Sequence, residues 1–129
     1  MDKRLEKLLN ENLEDFLQEI CRVDLLTREE ELAFIAAVQE KGLECEEAER
    51  LEKANLRFVV SLVRQYKNRG LSVETLISIG AEELRKSILS YDLDGDTKFL
   101  THCVAQLRVC FEEAIGKING NNKKEVTLT

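Results

Sequence analysis

The sequence predicts an all-α protein that folds as a compact helical bundle. Its 129 residues contain no proline and only six glycines, so that few residues interrupt a helix. Glu, Leu, Lys, Arg and Ala are abundant, and these residue types favour helices over strands. Apolar residues also recur at helical spacing along most of the chain. A chain of this length is the size of one ordinary domain.

Two helical segments are predicted in the first third of the chain. Residues 2–20 alternate charged and apolar residues at helical spacing, which predicts one or two amphipathic helices with a break near Asn10 to Asn12. Thr27 and Glu30 form a capping box, which predicts a helix over residues 28–41 that ends at the following glycine.

The third predicted helix is unusually apolar. It begins near Glu46, meets no helix breaker before Asn68 and ends before Gly70. Its apolar residues cover all but a narrow strip of its surface, and they are Leu56, Phe58, Val59, Val60, Leu62, Val63 and Tyr66. A helix of this kind must be almost surrounded by neighbours, so we expect it to be the hub of the bundle.

Two further helices complete the prediction. Ser72 can cap a helix over residues 72–91, and apolar spacing predicts a last helix over residues 97–118. Residues 119–129 have no helical pattern and are expected to form a mobile tail.

Neither a metal, a cofactor nor a catalytic site is predicted. The cysteines contain no CxxC pair and the only histidine is His102, so buried thiols are expected rather than a zinc site or disulfides, at Cys21, Cys45, Cys103 and Cys110. The turn "DLDGD" at residues 92–96 has alternating acids but lacks the closing glutamate of a calcium loop. No nucleophile motif accompanies the histidine, so we expect a protein that is not an enzyme.

The charge is unevenly distributed. Residues 1–50 carry fifteen acids and seven bases, whereas residues 51–129 carry ten acids and twelve bases. The end of the hub helix is cationic, with Arg64, Lys67 and Arg69. These bases either complement the negative end of the helix dipole, which we favour slightly, or meet an acidic or nucleic-acid partner.

No run of apolar residues reaches the roughly 18–20 that a membrane span requires, and the first residues are too charged for a secretion signal. A cytoplasmic protein that does not bind membranes is therefore expected.

Three segments of the chain carry a family resemblance by their sequence and their order. They are "FLQEICRVDLLTREEELAFIAAVQEKG", "EAERLEKANLRFVVSLVRQYKNRGLSVETLISIGAEELRKSILSYD" and "TKFLTHCVAQLRVCFEEAIGKI". Together they resemble domain 2 of bacterial sigma-70 family RNA polymerase sigma factors. The most specific part is "ANLRFVVSLVRQYKNRGLS", followed by "LLTREEE". The resemblance implies one domain over residues 1–118, made of N-terminal helices (1–22), a part like region 1.2 (27–42) and a part like region 2 (46–118).

The resemblance implies a protein-binding surface. In the family, the hub helix and the next helix bind the clamp helices of the polymerase β′ subunit. The matching candidate residues here are Arg64, Lys67, Thr75, Ser78, Ile79, Glu82 and Arg85. The family usually has acids, amides and an asparagine where this chain has Thr75, Ser78, Ile79 and Ala81, so much of that contact chemistry has changed.

The resemblance also implies a nucleic-acid surface on the last helix, which in the family reads and opens the promoter −10 element. The candidates are Lys98, His102, Gln106 and Arg108. Ala105 and Gln106 stand where the family has two adjacent tryptophans that stack on the opened strand. Glu112 and Glu113, with Val109, occupy positions that face duplex DNA in the family, where a carboxylate is repelled by phosphate. We therefore expect promoter melting to be lost.

The resulting hypothesis is a sigma-like transcription protein that binds core RNA polymerase or an anti-sigma factor. The altered clamp-binding residues favour the anti-sigma factor modestly. The alternatives are a divergent sigma factor that still binds promoter DNA and a helical interaction protein without a role in transcription.

Overall fold

The fold is all-α, as predicted. The computed structural model describes residues 1–127, with side chains described for residues 1–119. Six helices follow one another in this part of the chain: α1 (Lys3–Glu11), α2 (Leu13–Cys21), α3 (Arg28–Lys41), α4 (Glu46–Val63), α5 (Val73–Ser90) and α6 (Phe99–Thr127). Side chains from all six helices meet in one buried apolar cluster.

The N-terminal segment forms two helices that are divided at Asn12, which confirms the predicted break. Asn12 ends α1 and caps α2. Its side-chain oxygen accepts a hydrogen bond from the amide of Asp15 at 3.1 Å, and its side-chain nitrogen donates to the Asp15 carboxylate at 3.0 Å. Asn is among the preferred capping residues because its short side chain can bind the free amides of the first turn.

Helix α3 has the predicted bounds and both predicted end signals. The amide of Glu30 donates to the Thr27 hydroxyl at 3.1 Å, and the amide of Thr27 donates to the Glu30 carboxylate at 3.0 Å. Gly42 follows the helix with a φ of 93°, a conformation that glycine adopts without steric cost.

Helix α4 is the predicted hub, and it packs against α2, α3 and α5. It ends at Val63, however, so the prediction that it continues to Asn68 is wrong. After Val63, the amides of Gln65 and Tyr66 bond to carbonyls only three residues back. Asn68 has a φ of 65°, a left-handed conformation that a right-handed helix cannot include. We call residues 64–72 the α4–α5 junction.

Gly80 allows close contact among three helices. A methyl group at this position would lie 2.6 Å from Val59 Cγ1 of α4 and 2.9 Å from Phe111 Cζ of α6. Helix α5 therefore packs tightly between α4 and α6 because it carries no side chain here.

Helix α6 is longer than predicted. It begins at Phe99 rather than residue 97 and continues beyond residue 118 to Thr127. The side chain of Asn119 donates to the carbonyl of Arg69 at 3.1 Å, so the helix is still held to the α4–α5 junction where it was expected to end. The predicted tail thus starts inside α6 and ends outside the described residues, and its mobility stays a prediction.

The four cysteines are free thiols in different environments. Cys103 is buried and Cys110 is half-buried, and burial raises the pKa of the Cys110 thiol to about 11. The prediction of a buried thiol is wrong for Cys21, which is exposed as the last residue of α2, while Phe16 and Ile20 of the same helix face the core. Cys45 is half-buried next to Gly42, whose carbonyl accepts from its thiol at 3.3 Å.

Candidate protein-binding and nucleic-acid-binding surfaces

The first candidate surface is the exposed side of α5. Thr75, Ser78 and Glu82 are exposed and lie three and four residues apart, so they share one side of the helix. The Ser72 hydroxyl caps the helix by accepting from the Thr75 amide at 3.1 Å, and it donates to the Thr75 hydroxyl at 2.8 Å. We call Thr75, Ser78 and Glu82 the α5 face.

Two other candidates on α5 are partly used by the fold. Ile79 is half-buried and packs against the core. Arg85 donates to the carbonyl of Leu43 at 2.6 Å and lies 3.5 Å from the carboxylate of Glu52. Arg85 therefore links α5 to the start of α4, and only part of its side chain remains accessible to a partner.

Glu52 is a buried acid that the sequence analysis did not single out. Its side chain is completely inaccessible, and its carboxylate lies 3.3 Å from the Met1 amino group and 3.5 Å from Arg85. Burial raises the pKa of the Glu52 carboxyl, while the charges of the Met1 amino group and Arg85 oppose that rise. A signal was present in the sequence, because Glu52 precedes Leu56 by one turn on the apolar side of the hub helix.

Helix α1 borders the α5 face. A cleft of about 310 Å³ separates the two helices, and its lining includes Met1 and Glu6 from the N-terminal segment and Ser78 and Glu82 from α5. The α5 face is therefore continuous with the N-terminal segment along this cleft.

The cationic candidates at the end of α4 lie in the α4–α5 junction. Arg64 and Lys67 are exposed. Arg69 instead forms a two-pronged ion pair with Glu112 of α6, with nitrogen–oxygen distances of 2.8 and 3.2 Å. Its guanidinium also lies 5.5 Å from the centre of the Tyr66 ring. The sequence analysis explained these bases either by the helix dipole or by an acidic or nucleic-acid partner. Neither explanation included an anionic partner of Arg69 within the chain.

The ion pair changes the electrostatics of both of its members. Hydrogen bonds from Arg69 hold the pKa of the Glu112 carboxyl below its usual range, and the same bonds raise the pKa of Arg69. Both groups thus remain charged across the physiological pH range.

The candidates for nucleic-acid binding lie on α6 or, in the case of Lys98, directly before it. Lys98, Gln106 and Arg108 are exposed, whereas His102 is half-buried. The ring of His102 lies within hydrogen-bond distance of the Ser90 hydroxyl, at 3.0 Å, and 5.5 Å from the ring centre of Tyr91. His102 is therefore packed against the end of α5.

No phenylalanine, tyrosine or tryptophan is exposed on α6 through residue 119. Phe99 and Phe111 are buried. Ala105 and Gln106 are exposed at the positions where the resemblance implies tryptophans. A flipped base is held by stacking on a ring, so this side of the helix lacks the group that such stacking requires.

Two further features concern metals and membranes. The described residues contain no group of three or more His, Cys, Asp or Glu side chains that could hold a metal ion. The residues after α5 form the expected turn, in which the Asp92 carboxylate accepts from the Asp94 amide at 3.0 Å. Within residues 1–127, no helix is long and apolar enough to cross a membrane.

Comparison with known proteins finds curated relatives. The chain is 36% identical over 107 residues to RNA polymerase sigma factor SigA of Listeria monocytogenes serovar 1/2a, and equally to that of Listeria innocua serovar 6a. The match covers 83% of this chain. The chain contains a region of the sigma-70 family. This confirms the family resemblance of the three quoted segments, and the region is consistent with domain 2.

The sigma-70-family region is only a portion of those relatives. The match spans 28% of the length of each curated relative. No protein-family model matches the chain. The helices of this region bring Thr75, Ser78 and Glu82 together on α5, and they bring Arg64 and Lys67 to the same junction as Arg69.

Proposed function

We propose that this protein is a non-enzymatic, sigma-factor-like transcription protein that acts by binding core RNA polymerase. The observation that supports this most is the 36% identity with RNA polymerase sigma factors over 83% of the chain. The α5 face would dock on the clamp helices of the β′ subunit, together with Arg64 and Lys67 of the α4–α5 junction.

The geometry of α5 is suited to contact with another helix. Thr75 and Ser78 have short side chains, so a partner helix could approach closely over one turn. Glu82 adds one negative charge one turn further on, where it lies 3.8 Å from Lys86. Ile79, half-buried beside them, would supply apolar contact at the border of this surface.

An anti-sigma factor is the second candidate partner. The observation that favours it is the neutral character of Thr75 and Ser78, because the family resemblance implies acids and amides at the polymerase-binding positions. A chain that retains the scaffold but not those groups could occupy an anti-sigma factor and release a true sigma factor.

Promoter melting is not part of the proposed function. The exposed side of α6 presents Ala105, Gln106 and Val109, and stacking on an aromatic ring would contribute roughly 1–3 kcal/mol per base. Lys98 and Arg108 could still contact phosphates. The alternative is therefore a divergent sigma factor that binds promoter DNA weakly, and a DNA-binding measurement tests it.

The test compares two substitutions of small exposed residues by arginine. Ser78→Arg places a bulky cation on the α5 face, whereas Ala36→Arg places the same side chain on the exposed side of α3. Binding to purified core RNA polymerase and to an anti-sigma factor is measured by biolayer interferometry. We expect Ser78→Arg to weaken binding at least about tenfold and Ala36→Arg to leave it unchanged. Absence of binding of the unmodified protein to both partners, or equal effects of the two substitutions, would contradict the proposal.

A further inference from the structure

Four exposed cations belong to the α4–α5 junction or reach it from α6. Arg64, Lys67 and Arg69 belong to the α4–α5 junction. Arg108 of α6 reaches the same place, because its guanidinium lies 3.3 Å from both the Gln65 side-chain oxygen and the Tyr66 hydroxyl. All four side chains are exposed, and we call them the cationic edge.

Only one of these four cations has an acidic partner among the side chains of residues 1–119. Among side chains of residues 1–119, Arg64, Lys67 and Arg108 form no ion pair, whereas Arg69 is held by both oxygens of Glu112. The Tyr66 ring lies on one side of the Arg69 guanidinium, and the Asn119 amide binds the Arg69 carbonyl. Arg69 is thus held at its side chain and at its backbone.

The ion pair uses the same groups that would bind nucleic acid. A guanidinium binds a carboxylate and a phosphate with the same pair of parallel N–H donors. A phosphate that approaches Arg69 must therefore displace the Glu112 carboxylate, and it also meets the negative charge of that carboxylate.

We infer that Glu112 is a specificity-determining residue that occupies Arg69 and thereby prevents the cationic edge from binding the phosphate backbone of nucleic acid. The inference deepens and rests on the proposed function, since it gives a physical reason why a sigma-like chain would bind protein in preference to DNA. The Glu112 carboxylate occupies the guanidinium of Arg69, so that Arg69 is not free to bind a phosphate. Its negative charge also repels phosphates that approach the other three cations.

The chain offers a matched control for this inference. Glu113 is the next residue, it is exposed, and in the part of the chain with described side chains it pairs with no cation. Glu112→Gln and Glu113→Gln each remove one negative charge from the same turn of α6, but only the first releases Arg69. A difference between them therefore reports the ion pair and not the net charge.

The experiment measures binding of a labelled DNA duplex and a labelled single strand by fluorescence anisotropy over a series of salt concentrations. We expect Glu112→Gln to bind several-fold more tightly than Glu113→Gln at low salt. We also expect its plot of log affinity against log salt to be steeper by about one unit, the change for one additional phosphate contact. The double variant Arg69→Gln/Glu112→Gln should lose both differences.

The inference would be overturned if Glu112→Gln and Glu113→Gln bound DNA with equal affinities and equal salt slopes. It would also be overturned if the gain in DNA affinity persisted in Arg69→Gln/Glu112→Gln. The charge-swapped variant Arg69→Glu/Glu112→Arg retains an ion pair and must bind DNA as weakly as the unmodified protein. Circular dichroism establishes that every variant keeps its helices. Because these measurements contain no polymerase or anti-sigma factor, their outcome is independent of the partner-binding test.

Discussion

The fully buried carboxylate of Glu52 lies 3.5 Å from the guanidinium of Arg85. The pair links the hub helix α4 to α5, and the Met1 amino group approaches the same carboxylate at 3.3 Å from the side of α1. A buried charge is costly unless it is paired, so removal of either cation is expected to destabilise the packing of these three elements.

Arg85→Met is expected to lower the free energy of unfolding by about 2–3 kcal/mol. Removal of one partner of a buried ion pair typically costs roughly 3–5 kcal/mol, and the cost should be smaller here because the Met1 amino group still faces Glu52. Urea denaturation measures the change. The double variant Glu52→Met/Arg85→Met should recover part of the loss, since no unpaired buried carboxylate remains, although the Met1 amino group then loses its partner. A double variant as unstable as Arg85→Met would show that the ion pair is not the cause.

Glu52→Gln is expected to change the pH dependence of stability. Burial raises the pKa of Glu52 in the folded protein above its value in the unfolded chain, so the unfolded chain releases this proton at a lower pH. The contribution of Glu52 to stability is therefore most favourable at acidic pH, and it falls as the pH rises from the unfolded pKa to the folded pKa. Urea denaturation between these values should show the unmodified protein losing stability relative to Glu52→Gln. Parallel curves for the two proteins would contradict the assignment.

Gly80→Ala is expected to destabilise the protein by up to about 2 kcal/mol. Alanine favours a helix over glycine by about 1 kcal/mol, but the added methyl group would lie 2.6 Å from Val59 and 2.9 Å from Phe111, and overpacking of a core costs about 1–3 kcal/mol. Gly116→Ala is the control, because nothing lies within 4 Å of the methyl group there. That variant should be more stable by up to about 1 kcal/mol. Thermal denaturation of both variants measures the difference, and a stabilised Gly80→Ala variant would be inconsistent with the close helix contact.

Ala105→Trp/Gln106→Trp is expected to increase affinity for single-stranded DNA by about tenfold. Both positions are exposed, so the new rings can stack on bases, and stacking on one aromatic ring is worth roughly 1–3 kcal/mol. Ala105→Leu/Gln106→Leu adds apolar bulk without an aromatic face and should produce little change. The affinities are measured by fluorescence anisotropy with a single-stranded oligonucleotide. Equal gains in the two double variants would mean that apolar contact, and not ring stacking, limits binding.

The helices and their ends were largely predictable, because the signals lie close together in the chain. The capping box of Thr27 and Glu30 and the caps at Asn12 and Ser72 depend on hydrogen bonds between residues three positions apart. The end of α4 was not predictable in this way. Val63 is followed by more helix-compatible residues, and the left-handed conformation of Asn68 is seen only in the folded chain.

The candidate surfaces were predictable in part. The family resemblance implied Thr75, Ser78 and Glu82 as candidates, and the structure places all three on one exposed side of α5. The resemblance could not show that Arg85 bonds to Leu43, which lies 42 residues earlier in the chain. Contacts of this kind depend on how the helices cross, and the periodicity of a single helix does not contain that information.

The sequence alone determined an all-α chain with a deeply apolar hub helix, and its family resemblance was already present in three ordered segments. The tertiary structure decided which charged side chains form ion pairs with one another within the chain. Arg69 and Glu112 are 43 residues apart, and Glu52 meets Arg85 across two helices. The physical reason is that hydrogen bonds within a turn and apolar periodicity act over three or four residues, whereas ion pairs between helices require the packed bundle to bring the charges within reach.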